Sequence, residues 1–160
     1  MFEKVAGLPG HVLVVHAVVV FVPLLALLAV AYGVLPRWRD RLGWAVAALA
    51  VVTPVVAWVA TESGEAFERV LRDGGYPPEI LSQVETHAAY GDRLLWSTVA
   101  LGLAAIALLL ATSGRARARA LPSWLPVALT VVVVALAVLA TVYVYLTGET
   151  GARAVWDGVV

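Results

Sequence analysis

The 160-residue sequence contains no cysteine, which excludes disulfides, thiolate metal ligands and a cysteine nucleophile. Charge is scarce as well: Asp, Glu, Lys and Arg make up 14% of the residues and cancel to a formal net charge of zero, where a soluble domain carries roughly a quarter charged residues. The longest basic run is the alternating Arg115–Arg119 segment, so nucleic-acid binding has no electrostatic footprint. G-x-S-x-G, P-loop, H-E-x-x-H and dinucleotide fingerprints are all missing. With no activated nucleophile to point to, the expectation is a non-enzymatic protein.

What fills the sequence is apolar. Hydrophobic residues reach 62% and mean hydropathy is +0.91. Stretches 5–36, 42–61, 94–114 and 120–148 hold no charged side chain. Each reaches the roughly 20 residues that a helix needs to cross about 30 Å of hydrocarbon. Backbone groups in lipid must be hydrogen-bonded within the segment, so these runs are helices. The reading is an all-α four-helix transmembrane bundle, one domain over 1–160, with spans at about 12–34, 43–60, 94–112 and 125–147, lying in a lipid bilayer. The alternative for the first run is a cleaved signal peptide ending at Ala29-Val30-Ala31, but its apolar stretch is longer than the usual ~7–15 residues and no basic n-region precedes it.

Arginines give the expected orientation. Arg37, Arg39 and Arg41 lie in the first connection and Arg115, Arg117 and Arg119 in the third, whereas 61–93 carries seven acids against three arginines. Positive loops stay in the cytoplasm, so both termini and the long middle connection are expected on the extracytoplasmic side. Trp38, Trp44 and Trp124 then fall at the inner interface, and Trp58, Trp96 and Trp156 at the outer one. The middle connection reads as a helical hairpin. Glu65–Arg69 and Glu68–Arg72 are spaced i,i+4, Gly74-Gly75 stops one helix, and Pro77-Pro78 suits the first turn of the next.

The two halves look alike. Each has a helix, an arginine-rich turn and a second helix ending in Glu62-Ser63-Gly64 or Glu149-Thr150-Gly151. Each also opens with a histidine five residues before another polar group, His11 before His16 and His87 before Asp92. A parallel duplication is expected. Small residues (Ala50, Pro54, Ala57, Thr61 and Gly64; His87, Gly91, Thr98 and Gly102; Thr130, Ala137, Thr141 and Gly148) mark packing stripes on helices two, three and four. Pro23 and Pro54 are expected to kink helices one and two.

All three histidines fall toward one membrane face, together with Glu62 and Glu149. Ionisable groups at membrane depth are costly and are functional candidates by default. A helix beginning near Val12 places His16 about one turn inside, so His16 and His87 are the expected main ligands, with His11, Glu62 and Glu149 in support and Glu65 able to replace Glu62. Imidazole with carboxylate suits a transition metal, and paired imidazoles suit haem b. Interfacial histidines also serve simply as hydrogen-bond donors, and helix-end carboxylates are often only solvated. The competing reading is therefore a cofactor-free structural or assembly partner in a membrane complex.

The segment Leu8-Pro9-Gly10-His11-Val12-Leu13-Val14-Val15-His16, the stretch Val84-Glu85-Thr86-His87 and the terminal Thr147-Gly148-Glu149-Thr150-Gly151 resemble the bacterial membrane family known as domain of unknown function 2231. That family typically reads H-P-x-x-V-H-F-P and T-G-H-x-G-G. His11, Val15, His16, Thr147, Gly148 and Gly151 match, while Val12, Ala17 and Val18 depart. Glu149 stands where the family commonly has histidine, which shifts the implied site from haem toward a mixed histidine–carboxylate centre. Members are sometimes fused to Rieske or other redox domains, so the resemblance implies, by association, a membrane or extracytoplasmic redox partner.

The orientation is testable with a reporter active only outside the cytoplasm. It should work when fused after Val160 or between Gly74 and Gly75, and fail after Arg39 or Arg117. The reverse pattern would turn the protein over in the membrane.

Overall fold

The computed structural model describes residues 10–114 and 121–156. Arg115, Arg117 and Arg119 of the third connection lie outside the described residues. Four long helices make up the described chain: α1 (Gly10–Val34), α2 (Arg39–Asp73), α3 (Pro78–Thr112) and α4 (Leu125–Trp156), with a 3₁₀ turn at Pro36–Trp38 joining α1 to α2. All four are long and apolar enough to cross a membrane. Helices α2 and α3 run well past the apolar stretches 42–61 and 94–114. The helices form a ring in which each packs on its sequence neighbours and α4 closes onto α1, while α1 and α3 touch across the shorter diagonal.

The turn between α2 and α3 follows from its residues. Gly75 adopts φ 70°, the left-handed conformation that ends a helix without a Cβ clash, and Tyr76 N–H reaches back to Leu71 O. Pro77 and Pro78 then start α3 where a backbone donor would have no helical partner. Beyond the apolar runs, Arg72 bridges Glu68 (2.7 Å) on its own helix and Glu85 (2.6 Å) on α3. Both contacts are solvent-exposed and add alignment more than stability.

The first connection is clasped by Arg39. Its guanidinium donates to the carbonyls of Tyr32 and Gly33, which the end of α1 leaves without helical partners, and lies over the Tyr32 ring. Tyr32 is buried and its hydroxyl meets Thr112 Oγ1 at 2.7 Å across the α1–α3 diagonal. The Thr112 hydrogen is directed to Leu108 O, so Tyr32 is the donor.

The duplication is visible in the packing. Adding 76 to the buried α1 positions Val18, Val22, Leu25, Ala26, Ala29 and Tyr32 gives Leu94, Thr98, Leu101, Gly102, Ala105 and Leu108, all buried on α3. Adding 87 to Val46, Ala50 and Thr53 gives Val133, Ala137 and Ala140, all buried on α4. The two offsets differ by 11 residues, and most of the difference lies in the connections: α1 and α2 are separated by residues 35–38, α3 and α4 by residues 113–124, with the helix ends absorbing the rest. The two helical hairpins therefore repeat in register, related as by a twofold parallel to the helices.

Two of the three small-residue stripes face inward. Ala50, Ala57, Thr98 and Gly102 are buried. On α4 only Ala137 is buried, while Thr141 and Gly148 are exposed, because α4 presents Val133, Ala137 and Ala140 to its neighbours. Both α1 and α2 continue as helix through Pro23 and Pro54. Proline has no N–H, so Pro54 leaves Ala50 O without its usual helical donor. Gly102 of α3 lies against that carbonyl: a Cβ there would stand 2.7 Å from Ala50 O and 3.2 Å from Pro54.

Gly102→Ala should therefore force α2 and α3 apart and cost roughly 1–3 kcal/mol, read as a lower melting temperature of the detergent-solubilised protein. Gly91→Ala, where a Cβ meets nothing within 4 Å, should be neutral or slightly stabilising. Equal effects of the two changes would mean that α2 and α3 are not this close.

Candidate functional site

The histidine end of the bundle is built from one element used twice. His11, in the first turn of α1, places Nδ1 3.1 Å from Ala60 O and 3.1 Å from Ser63 Oγ on α2. His87 on α3 places Nδ1 3.0 Å from Thr147 O and 3.4 Å from Thr150 Oγ1 on α4. The offset of 87 carries Ala60, Ser63 and Gly64 onto Thr147, Thr150 and Gly151, so the two contacts are copies.

These bonds assign the tautomer. A carbonyl only accepts, so each Nδ1 carries the proton. Ser63 directs its own hydrogen to Ala60 O and Thr150 directs its hydrogen to Leu146 O, so both hydroxyls are free to accept from the imidazoles. Each neutral ring is left with an unprotonated Nε2, the usual ligating atom when Nδ1 is tied to a backbone carbonyl.

Glycine makes the fit possible. A Cβ at Gly64 would stand 3.1 Å from His11 Cε1, and one at Gly151 would stand 2.9 Å from His87 Cε1. Each ring thus lies directly on the backbone of the neighbouring helix. The two imidazoles meet across the α1–α3 diagonal with ring centres 6.2 Å apart and planes at 82°, and His11 also stacks on Phe67 at 6.5 Å. A further polar atom at this level, Thr147 Oγ1, is buried without a hydrogen-bond partner.

His87 lies seven residues before Leu94, outside the charge-free stretch of α3. Burial pushes His87 below the ordinary value of 6.5, against the bond to Thr147 O, which works the other way.

The other candidate ligands do not join this pair. Helix α1 already includes Gly10 and His11, ahead of the start expected near Val12. His11 is therefore already helical and faces inward, and His16, five residues on, is turned roughly 140° away. His16 is exposed, and its Nδ1–H donates to Val12 O of its own helix at 2.6 Å. Glu62 and Glu149 each precede the hydroxyl residue that accepts from an imidazole, which turns them about 100° off the junction. Glu149 is paired with Arg153 at 2.6 Å, and Glu62 faces a groove between α2 and α3 together with Glu65. Among the described residues no group of three or more His, Cys, Asp or Glu is placed to hold a metal ion. Ser63, Thr150, Gly64 and Gly151 carry the site and were not chosen from the sequence. Their signal was the repeated Glu-Ser/Thr-Gly triplet, in which the second and third residues matter more than the acid.

Burial disfavours the charged form of His87 in the fold, whereas in the unfolded chain the imidazole titrates near 6.5. Stability should be flat above about pH 7 and should fall as pH drops through 6.5, where the unfolded state takes up protons that the folded state resists. Thermal melting in detergent between pH 8 and pH 5 should show this loss, and the double change His11→Gln, His87→Gln should flatten it. A pH-independent melting temperature in the unaltered protein would contradict the assignment.

A model of the predicted membrane protein family DUF2231 matches residues 7–160. No curated protein and no solved structure matches the chain. With four apolar helices, two repeated hairpins and a family match over nearly its whole length, the chain belongs to the DUF2231 family of predicted membrane proteins.

Proposed function

We propose that this protein is a non-enzymatic membrane subunit that carries a transition-metal ion on the His11–His87 pair, in a bacterial plasma membrane with both termini outside. The observation that carries the reading is the pair itself: two imidazoles from equivalent positions of two repeats, each with Nδ1 committed to a carbonyl and Nε2 left open. Bonds of about 2.0–2.1 Å from one ion to two Nε2 atoms, with about 1 Å more to each ring centre, set the centres roughly 5–6.5 Å apart. The observed 6.2 Å falls in that range. Thr147 Oγ1, buried and without a partner among the described residues, is a polar atom on the residue whose carbonyl binds His87.

The residues around the pair favour an ion over haem b. Phe67 covers one face of His11, and the backbones at Gly64 and Gly151 press on the ring edges, which leaves little room for a porphyrin. Such an ion adds a one-electron or Lewis-acid centre at the membrane surface, which fits service beside a redox partner. A second reading, a cofactor-free assembly subunit, draws on the hairpin beyond the apolar runs, where Phe67, Val70 and Tyr76 are exposed.

Detergent-purified protein loaded with Cu²⁺, Zn²⁺, Ni²⁺ or Fe²⁺ and then desalted should retain about one equivalent of at least one of them. Retention should fall below about pH 6.5, because imidazole binds metal only when neutral. His11→Ala and His87→Ala should each abolish it, and His16→Ala and Glu149→Gln should not. Protein that retains neither metal nor haem when both are supplied would overturn the reading in favour of the assembly subunit. Loss in His16→Ala with retention in His11→Ala would overturn the ligand assignment.

A further inference from the structure

The face between α2 and α3 carries a cleft of about 360 Å³ whose lining includes Pro54, Trp58, Glu62, Glu65, Asp92 and Trp96, with no cationic side chain. Its position is amphipathic. Pro54, Trp58 and Trp96 belong to the charge-free stretches that cross the membrane, and the three carboxylates stand just past where those stretches end. The tryptophans are 55% and 70% exposed and form two aromatic walls. Nearby cations are engaged elsewhere or held loosely. Arg93 lies over the Tyr90 ring, and Arg69 meets Glu65 at 3.7 Å with both side chains more than half exposed.

The repeat supplies an internal control. The same offsets carry this groove onto the one between α4 and α1. There Trp58 becomes Tyr145, Glu62 becomes Glu149, Glu65 becomes Ala152, Asp92 becomes His16 and Trp96 becomes Val20. The related groove keeps one carboxylate, and that one is paired with Arg153. The helix packing is common to both grooves, so it does not require three acids and two indoles in either. Glu62 and Asp92, which have no ion pair among the described residues, repel each other beside low-dielectric walls, and aromatic faces attract an organic cation.

We propose that this cleft binds a lipophilic organic cation, an alkylammonium whose head lies between Trp58 and Trp96 against Glu62 and Asp92 while its chain follows Pro54 into the bilayer. A zwitterionic phospholipid is a poorer fit, because its phosphate would face the same three acids. The site is separate from the histidine pair, and its test does not depend on metal.

Dodecyltrimethylammonium titrated into protein in nanodiscs should give saturable, one-to-one binding by calorimetry. The double change Glu62→Gln, Asp92→Asn and the single change Trp96→Leu should each weaken it at least about tenfold, with circular dichroism and melting temperature unchanged to show that the fold is kept. His87→Ala should leave it unaltered, which separates failure here from failure of the metal reading. The proposal is overturned if binding never saturates, if dodecanol competes equally well (an apolar groove only), or if millimolar Ca²⁺ displaces the amphiphile completely (an inorganic-cation site). It is overturned equally if the carboxylate double change binds as tightly as the unaltered protein.

Discussion

Helices in lipid gain little from burying apolar faces against one another, since the hydrocarbon around them is just as apolar. Association has to come from close backbone approach and from polar groups that find partners across helices. Here that requirement is met most sharply where an imidazole Nδ1–H reaches the carbonyl of the next helix, at Ala60 and again at Thr147. The contact specifies its own surroundings. A ring that donates to a neighbouring backbone must lie flat on it, so the following position has to be Gly64 or Gly151. A hydroxyl one residue earlier shares the proton without competing for it. At the opposite end the α1–α3 diagonal is closed by a hydrogen bond, Tyr32 to Thr112. The α1–α3 axis is thus held by an imidazole–imidazole contact at one end and a hydrogen bond at the other, and filled between them by small and branched side chains.

Because the contact occurs twice at a fixed offset, the unit of this fold is the helical hairpin and not the single helix. The second copy is the longer one, and most of its extra residues fall between α3 and α4, where loop length costs little. Within the bundle no such freedom exists. One residue inserted into α3 would rotate every later position by about 100° and turn the buried series Leu94, Thr98, Leu101, Ala105 and Leu108 toward lipid.

Much of this was legible in the sequence, and the reasons differ by feature. The four helices followed from uninterrupted apolar runs, and the hairpin between α2 and α3 from Gly74-Gly75 and Pro77-Pro78, because both signals are local. The repeat was visible as Glu-Ser-Gly and Glu-Thr-Gly, but a carboxylate draws attention as a ligand, whereas the hydroxyl and the glycine act only through a partner on another helix. The choice of His16 as the inward histidine went astray over the start of α1. With Gly10 and His11 already helical, His11 faces inward and His16, five residues on, is turned about 140° away. Pairing across the diagonal could not be read at all. It depends on the handed arrangement of the ring, which composition and periodicity leave open.

The departures from the repeat follow a pattern of their own. One central layer contains Val22, Thr53, Thr98 and Ala140, each fully buried and one from each helix. Its two hydroxyls both belong to the α2–α3 side and have no hydrogen-bond partner among the described residues, while their counterparts on the α4–α1 side are apolar. The bend-prone Pro54, the freed carbonyl of Ala50 and the close approach of Gly102 are on the same side, where the α4–α1 pair has Thr141, Ala137 and Ala26. Trp58, Trp96, Glu65 and Asp92 continue the series toward the histidine end. Two copies of one hairpin make a stable bundle without any of these substitutions. Their concentration along a single helix pair separates the part of the sequence that maintains the fold, which is shared, from the part free to specialise, which runs along the α2–α3 face.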